Sequence, residues 1–242
     1  MKGVALSITD TRIVDISHEI SPQNILEGAF VLRTAVPYFP MGTVHVAVVD
    51  PGVGTERRGL VIATKSQILV GPDNGLLIPA ANYLDDFTVY EIKNPDLMLK
   101  NISNTYHGRD IFTPVAAHIL NGILFDQIGP IINDFKTFDF GTFELTNEFA
   151  IGKIIFIDRF GNIITNINGE KLKKIIEFNK VITLMVGRKK LKVSFVKSYD
   201  HVKSGEFLTT IGSSNHFEIS QNKGDASKRL KLNINDKIKI VF

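Results

Sequence analysis

Residues 44–49, Val-His-Val-Ala-Val-Val, make an almost continuously apolar, β-branched run that stops abruptly at Asp50-Pro51-Gly52. A strand with one wet face alternates apolar and polar residues, so a run of this kind belongs to a strand covered on both faces. Such strands lie in parallel sheets with helices packed on them, which makes the N-terminal part α/β. The surrounding patterns agree. Residues 13–16 and 88–92 read as strands, and 60–63 and 68–70 as two more with the spacing of a hairpin. Residues 25–36 read as a helix, opened by Pro22 and Asn24 and closed before Pro37. Residues 75–83 and 112–122 read as further helices. Pro114 is tolerated in the second because it falls in the first turn.

The pattern changes near residue 140. Residues 153–158, 181–186, 191–195, 207–211 and 238–242 are short strand-like runs with brief connections. They predict a smaller, mainly β, barrel-like domain. The expected organisation is an α/β sandwich-like domain over 1–147 and a β-barrel-like domain over 148–242.

Composition narrows the function classes. At 44% hydrophobic over 242 residues the chain can bury a substantial core. It has no cysteine, which excludes disulfides and thiolate chemistry and fits a reducing, cytoplasmic setting. Met1–Asp10 lacks the apolar core of a signal peptide, and no run is long enough to span a bilayer. Twenty-eight basic against 25 acidic residues leave a net charge of +3, too balanced for a nucleic-acid binder. Lys171, Lys173, Lys174, Lys180, Arg188, Lys189, Lys190 and Lys192 crowd the last third and read as a solvated surface.

Five polar stretches are placed to carry chemistry. Asp50 follows directly on the apolar strand, where open α/β sheets bind ligands, and Arg57 and Arg58 lie nearby. The same residues would equally make a tight turn with a surface ion pair. In Gly71-Pro72-Asp73-Asn74-Gly75 a second strand ends in a polar turn. Asp73 there is suited to cap the next segment, and Asn74 to hydrogen-bond a ligand. Thr105-Tyr106-His107-Gly108-Arg109-Asp110 brings a histidine, an arginine and an aspartate to a predicted helix start, with Asp110 placed to favour its dipole. In Asp158-Arg159-Phe160-Gly161-Asn162, Asp158, Phe160 and Asn162 supply a carboxylate, a ring and an amide, the groups that stack on and read a nucleobase; a glycine turn over a packed Phe is the plainer alternative. The polar segment 213–230, with Asn215, has backbone amides suited to an adenine edge. No metal-binding pattern supports a metal ion at Asp50, Asp73, His107 and Asp110. No nucleophile elbow is present either.

Taken in order, VDISHEISPQNILEGAFVL, VVDPGVGTERRG, VGPDNGLL, TYHGRDIFTPVAAHI and DRFGNIITNI resemble the S-adenosyl-L-methionine (SAM) hydroxide adenosyltransferases, or SAM hydrolases. These are relatives of the fluorinating and chlorinating enzymes that act on SAM. The resemblance runs from residue 2 to the C-terminus. It implies a homotrimer with its sites at subunit interfaces, and attack of water or hydroxide on ribose C5′ of SAM to release adenosine and L-methionine. SAM is then substrate, and no cofactor or metal is required. The resemblance places Asp50, Arg57 and His107 in the catalytic set, leaving open whether His107 or Asp50 takes the proton. Asp73, Asn74, Asp158, Phe160 and Asn162 match substrate-binding motifs, and Asn215 joins them.

Two alternatives stay open: a SAM-dependent halogenase, and a non-catalytic trimeric protein that binds SAM or adenosine. The short run over 82–105, without room for the extra loop of the fluorinating enzyme, and the histidine of TYHGRD favour water over halide. Members of the family usually begin with a strand and a TDFG-like motif before the region matching MKGVALSI. The first strand and its ribose-gripping aspartate are therefore expected to be missing here.

Overall fold

The computed structural model describes residues 1–187 and 189–242; Arg188, in the basic stretch, lies outside the described residues. The chain divides into two compact units, Met1–Asp139 and Phe140–Phe242. Among the described residues no helix is long and apolar enough to cross a membrane.

The first unit opens with α1 (Lys2–Ile8), followed by α2 (Ile25–Ala35). The Asn24 side chain caps α2 by accepting from the Glu27 amide, so the helix starts where the cap residue stands. Four strands follow: β1 (Val44–Val46), β2 (Gly59–Thr64), β3 (Ile68–Pro72) and, after α3 (Ile78–Tyr83), β4 (Phe87–Glu91). A π-helical turn (Gly108–Phe112) runs directly into α4 (Thr113–Leu120). The sheet order is β1-β3-β2-β4. β1 is parallel to β3, whereas β2 and β3 form the expected antiparallel hairpin.

Two expectations need correction. Residues 13–16 form no strand. Ile13, Val14 and Ile16 are exposed, and Asp15 is tied instead to Lys2 and His18, so this apolar run has no sheet to bury it. The strand at 44–49 is shorter than its apolar run, and it is a sheet edge. Its one deeply buried side chain is His45, which hydrogen-bonds Gln67 at 2.8 Å. The Gln67 amide donates in turn to the Val36 and Phe39 carbonyls, so the polar pair locks β1 against the end of α2. Burial lowers the His45 pKa and keeps the ring neutral there.

The sheet has an apolar cluster on each face. Leu60, Ile62, Leu69 and Val89 pack with α2 and α3, while Val61 and Val70 pack with Phe112, Val115 and Ile119. This alternation along β2 and β3 gives a sheet covered on both sides, with helices on each.

The second unit is a barrel. Its strands are β5 (Glu144–Leu145), β6 (Phe149–Ile157), β7 (Ile163–Asn168), β8 (Lys180–Val186), β9 (Lys189–Phe195), β10 (Phe207–Ile211), β11 (His216–Gln221) and β12 (Lys237–Val241), with α5 (Gly169–Lys173) and α6 (Ala226–Leu230) between them. The sheet runs β12-β8-β9-β10-β11-β7-β6-β5, and β12 also pairs with β6, which closes it. Closure removes the free edges that short strands would otherwise expose. The interior is filled by Ile154, Ile163, Ile167, Leu184, Phe195, Phe217, Ile219, Ile238 and Ile240.

Candidate active site

The turn after β1 and the loop before α4 bring three predicted residues together. Arg57 Nε donates to both oxygens of Asp50, at 2.9 and 3.1 Å, and Nη2 donates to Oδ2 at 2.5 Å. Nη2 also lies 2.8 Å from His107 Nδ1, and Nη1 donates to the Arg58 carbonyl at 3.1 Å. The Asp50 and Arg57 side chains are only 6% and 7% exposed, which rules out the plainer reading of a surface ion pair. The guanidinium also sits over the Phe112 ring, 5.0 Å from its centroid.

This geometry fixes the tautomer of His107. A guanidinium only donates, so Nδ1 accepts from Arg57 and the proton of the neutral ring sits on Nε2. Burial and the neighbouring Arg57 charge both lower the His107 pKa, against smaller opposing effects of Asp50 and Asp110. His107 thus stands as a neutral ring offering an N–H. Arg57 has five N–H donors, and the bonds above engage four, leaving one on Nη1.

The loop that carries His107 is anchored by Asp110. The expected helix-dipole role is a small part of what this residue does. It is fully buried, accepts from the Ser103 amide at 2.9 Å and binds Arg109 Nε at 2.6 Å. The Arg109 hydrogen bond outweighs burial and holds the Asp110 carboxyl down at about 2. His107 immediately precedes the π-helical turn, and the Thr113 hydroxyl donates to the Gly108 carbonyl at 2.7 Å inside that turn. A π-turn of this kind displaces the chain by an extra residue and commonly marks a functional position.

Asp73 and Asn74 lie on the next turn but serve separate networks. Asp73 does not cap α3: Oδ2 accepts from Arg58, and Oδ1 accepts from the Lys136 amide. Arg58 also binds Asp134, so the pair ties segment 134–136 to the sheet. Asn74 accepts from the Leu76 amide and donates to the Val49 carbonyl, fixing the turn beside Asp50. Arg57, Arg58, Asp73 and Asp134 line one open groove of about 640 Å³. Among the described residues no three His, Asp or Glu side chains converge into a metal site.

In the second unit, Asp158 organises its own turn. Oδ1 accepts from the Phe160 and Asn162 amides, and Oδ2 from the Asn162 side chain at 2.8 Å. Phe160 is 79% exposed, which excludes the packed-ring alternative and leaves its face free to stack. Asn215 takes a left-handed conformation (φ 60°), and its carbonyl accepts from the Gly169 amide. Sequence reasoning passed over Tyr199 and Glu218, which meet on the outside of β10 and β11: Tyr199 Oη donates to Glu218 Oε1 at 2.8 Å. A carboxylate flanked by apolar residues in a strand gives no motif, and its burial emerges only from pairing.

An α/β unit that sets an Asp–Arg–His network at its strand ends, followed by a closed β barrel with a polar turn, is a two-unit architecture of the kind on which enzymes build their sites. The profile of the SAM hydroxide adenosyltransferase N-terminal domain matches residues 1–129, and that of the C-terminal domain matches 152–239. The chain belongs to the SAM hydroxide adenosyltransferase family. It is 40% identical to the (R)-S-adenosyl-L-methionine hydrolase of Methanocaldococcus jannaschii, over all of this chain and 89% of that protein. It is 35% identical to the enzyme of the same name from Salinispora tropica, over 98% and 90% of the two chains. The fluorinase of Nocardia brasiliensis is more distant, at 27% over 72% of this chain and 67% of its own. Among solved structures, an uncharacterized conserved protein from Thermotoga maritima superimposes with a TM-score of 0.94 at 38% identity, covering 99% of this chain and 92% of that one.

Proposed function

We propose that the protein hydrolyses S-adenosyl-L-methionine to adenosine and L-methionine, with Asp50, Arg57 and His107 as its catalytic set. The observation that carries this reading is the buried network itself, in a chain whose relatives at 32–40% identity are SAM hydrolases. Water attacks ribose C5′, the C5′–S bond breaks, its electron pair goes to sulfur, and methionine leaves as a neutral thioether. The water gives up one proton. Carbon bound to a sulfonium is already activated and needs no Lewis acid; the difficulty lies in making water nucleophilic.

Geometry favours donors over a base at that step. Asp50 is gripped by Arg57 at both oxygens, which ties it to the guanidinium rather than to a water. His107 Nδ1 is already occupied. What the set offers is one Arg57 N–H and the His107 Nε2–H, two donors that stabilise an oxygen as it becomes hydroxide. The proton then passes to solvent.

Asp73, Asn74, Asp158, Phe160, Asn162 and Asn215 are proposed to bind the substrate, with Phe160 stacking on adenine. The proposed assembly is a homotrimer with sites at subunit interfaces, which light scattering on the purified protein would test.

The deciding experiment incubates the metal-free protein with SAM and separates products by chromatography. Adenosine and methionine in equal amounts are expected, with turnover falling roughly 100-fold or more in His107→Ala. Unchanged turnover in that variant would remove His107 from the set, and binding of SAM without products would make the protein a non-catalytic binder. Adding fluoride or chloride is expected to leave adenosine as the product.

A further inference from the structure

The barrel carries a buried carboxylate that the proposed chemistry leaves unused. Glu218 on β11 is 6% exposed, and Oε1 accepts from Tyr199 Oη at 2.8 Å and from Ser220 Oγ at 2.7 Å. Both partners are neutral hydroxyls; among the described residues no lysine, arginine or histidine forms an ion pair with Glu218. Buried charges are ordinarily paired. Gly212 leaves room for the other oxygen, since a Cβ there would overlap Oε2.

A second observation points to the same place. Thr210 stands directly opposite Glu218 in the β10–β11 register, so the two side chains share one face of the ribbon. Thr210 is 4% exposed, and its hydroxyl is buried with no hydrogen-bond partner. Native interiors seldom leave such a group unsatisfied without a ligand or water. Burial first, then the Glu218 hydrogen bond and the Glu218 and Asp158 charges, push the Tyr199 phenol pKa well above its ordinary value. The phenol therefore stays a neutral donor. Tyr199 itself is 44% exposed, so the cluster reaches the surface through its ring.

We infer that Glu218, with Thr210, Ser220 and Tyr199, forms a subsite selective for a positive charge on the ligand. Glu218 is held by two neutral hydroxyls and faces an unsatisfied Thr210 hydroxyl, and a cationic ligand supplies the counter-charge. This rests on the SAM reading above, where the ligand brings a sulfonium and an ammonium.

The test is calorimetric titration of the full chain and of Glu218→Gln with three probes: SAM, carrying both cations; S-adenosyl-L-homocysteine, carrying the ammonium alone; and adenosine, carrying neither. Glutamine keeps the shape and removes the charge. SAM binding is expected to weaken about tenfold and adenosine binding to change less than twofold. A matching loss for S-adenosyl-L-homocysteine assigns the ammonium to the subsite, and an unchanged affinity assigns the sulfonium. Equal weakening of all three probes, or unchanged SAM binding, overturns the inference while leaving SAM hydrolysis intact. A wild-type chain that binds adenosine but not SAM overturns both. Tyr199→Phe, at a half-exposed ring, decides the matter should Glu218→Gln fail to fold: a loss confined to the charged probes supports the subsite, and no loss overturns it.

Discussion

At the scale of single residues, the site turns on which atoms donate. Arg57 fixes the His107 tautomer because a guanidinium has no acceptor, and from that follows a pH dependence. Protonating Nδ1 would place two donors face to face and break the Arg57 contact. On the proposed donor role, activity is expected to require the neutral ring. Burial and Arg57 lower the His107 pKa below its ordinary 6.5, so the neutral form persists as pH falls through 6.5 and is lost only below it. The acid limb of kcat/KM is expected to have its midpoint below 6.5 and then to fall about tenfold per pH unit. A midpoint above 6.5 in a pH–rate profile would contradict the donor role. The three residues of this set were legible as types at suggestive places, strand end and glycine loop. Their union came from the family resemblance and not from spacing, because 50 residues of chain separate Arg57 from His107 and only the fold closes that gap.

At the scale of elements, the π-helical turn before α4 is the piece that aims His107, and Asp110 is what holds it. Its carboxylate ties the turn back to the Ser103 amide and to Arg109. Asp110→Asn is expected to cost about 1–3 kcal/mol at neutral pH, the usual effect of losing a buried charge-assisted hydrogen bond. The sign with pH follows from the carboxyl's low value. Its folded pKa of about 2 lies below the ordinary 3.8, so its contribution is present in full above 3.8 and is lost as pH falls through 2. Urea unfolding of both proteins from pH 7 downward should show the gap narrowing only in that acidic window; a gap that stays constant would assign Asp110 a purely steric role. Periodicity located α2, the β2–β3 hairpin and α4 because each buries an apolar face that the sequence spells out. It misplaced residues 13–16, whose apolar side chains stay exposed, and it read no strand at β11, where His216, Glu218 and Ser220 are buried polar residues. A pattern of polar residues reads as surface whether water or protein covers it.

At the scale of the whole molecule, the second unit depends on closure by its last strand. β12 pairs with β6 on one side and β8 on the other, so the final residues of the chain complete a barrel begun nearly 90 residues earlier. The short strand-like runs foretold a barrel. The closing pair could not be read from them, since register between strands so distant is set by the whole ring. Ile238 and Ile240 are the two inward side chains of β12, each fully buried among Ile154, Leu184 and Phe217. Ile240→Ala removes three carbons from a packed interior that collapses only in part around the void, and a loss of about 2–5 kcal/mol is expected. Lys239, facing outward between them and resting on the Phe149 ring, is the internal control: Lys239→Ala keeps the ladder and the interior, and should cost well under 1 kcal/mol. Denaturant unfolding of the two variants separates closure by apolar packing from closure by backbone pairing alone. Similar losses in both would mean that the ladder, which each variant preserves, is not held by the interior side chains.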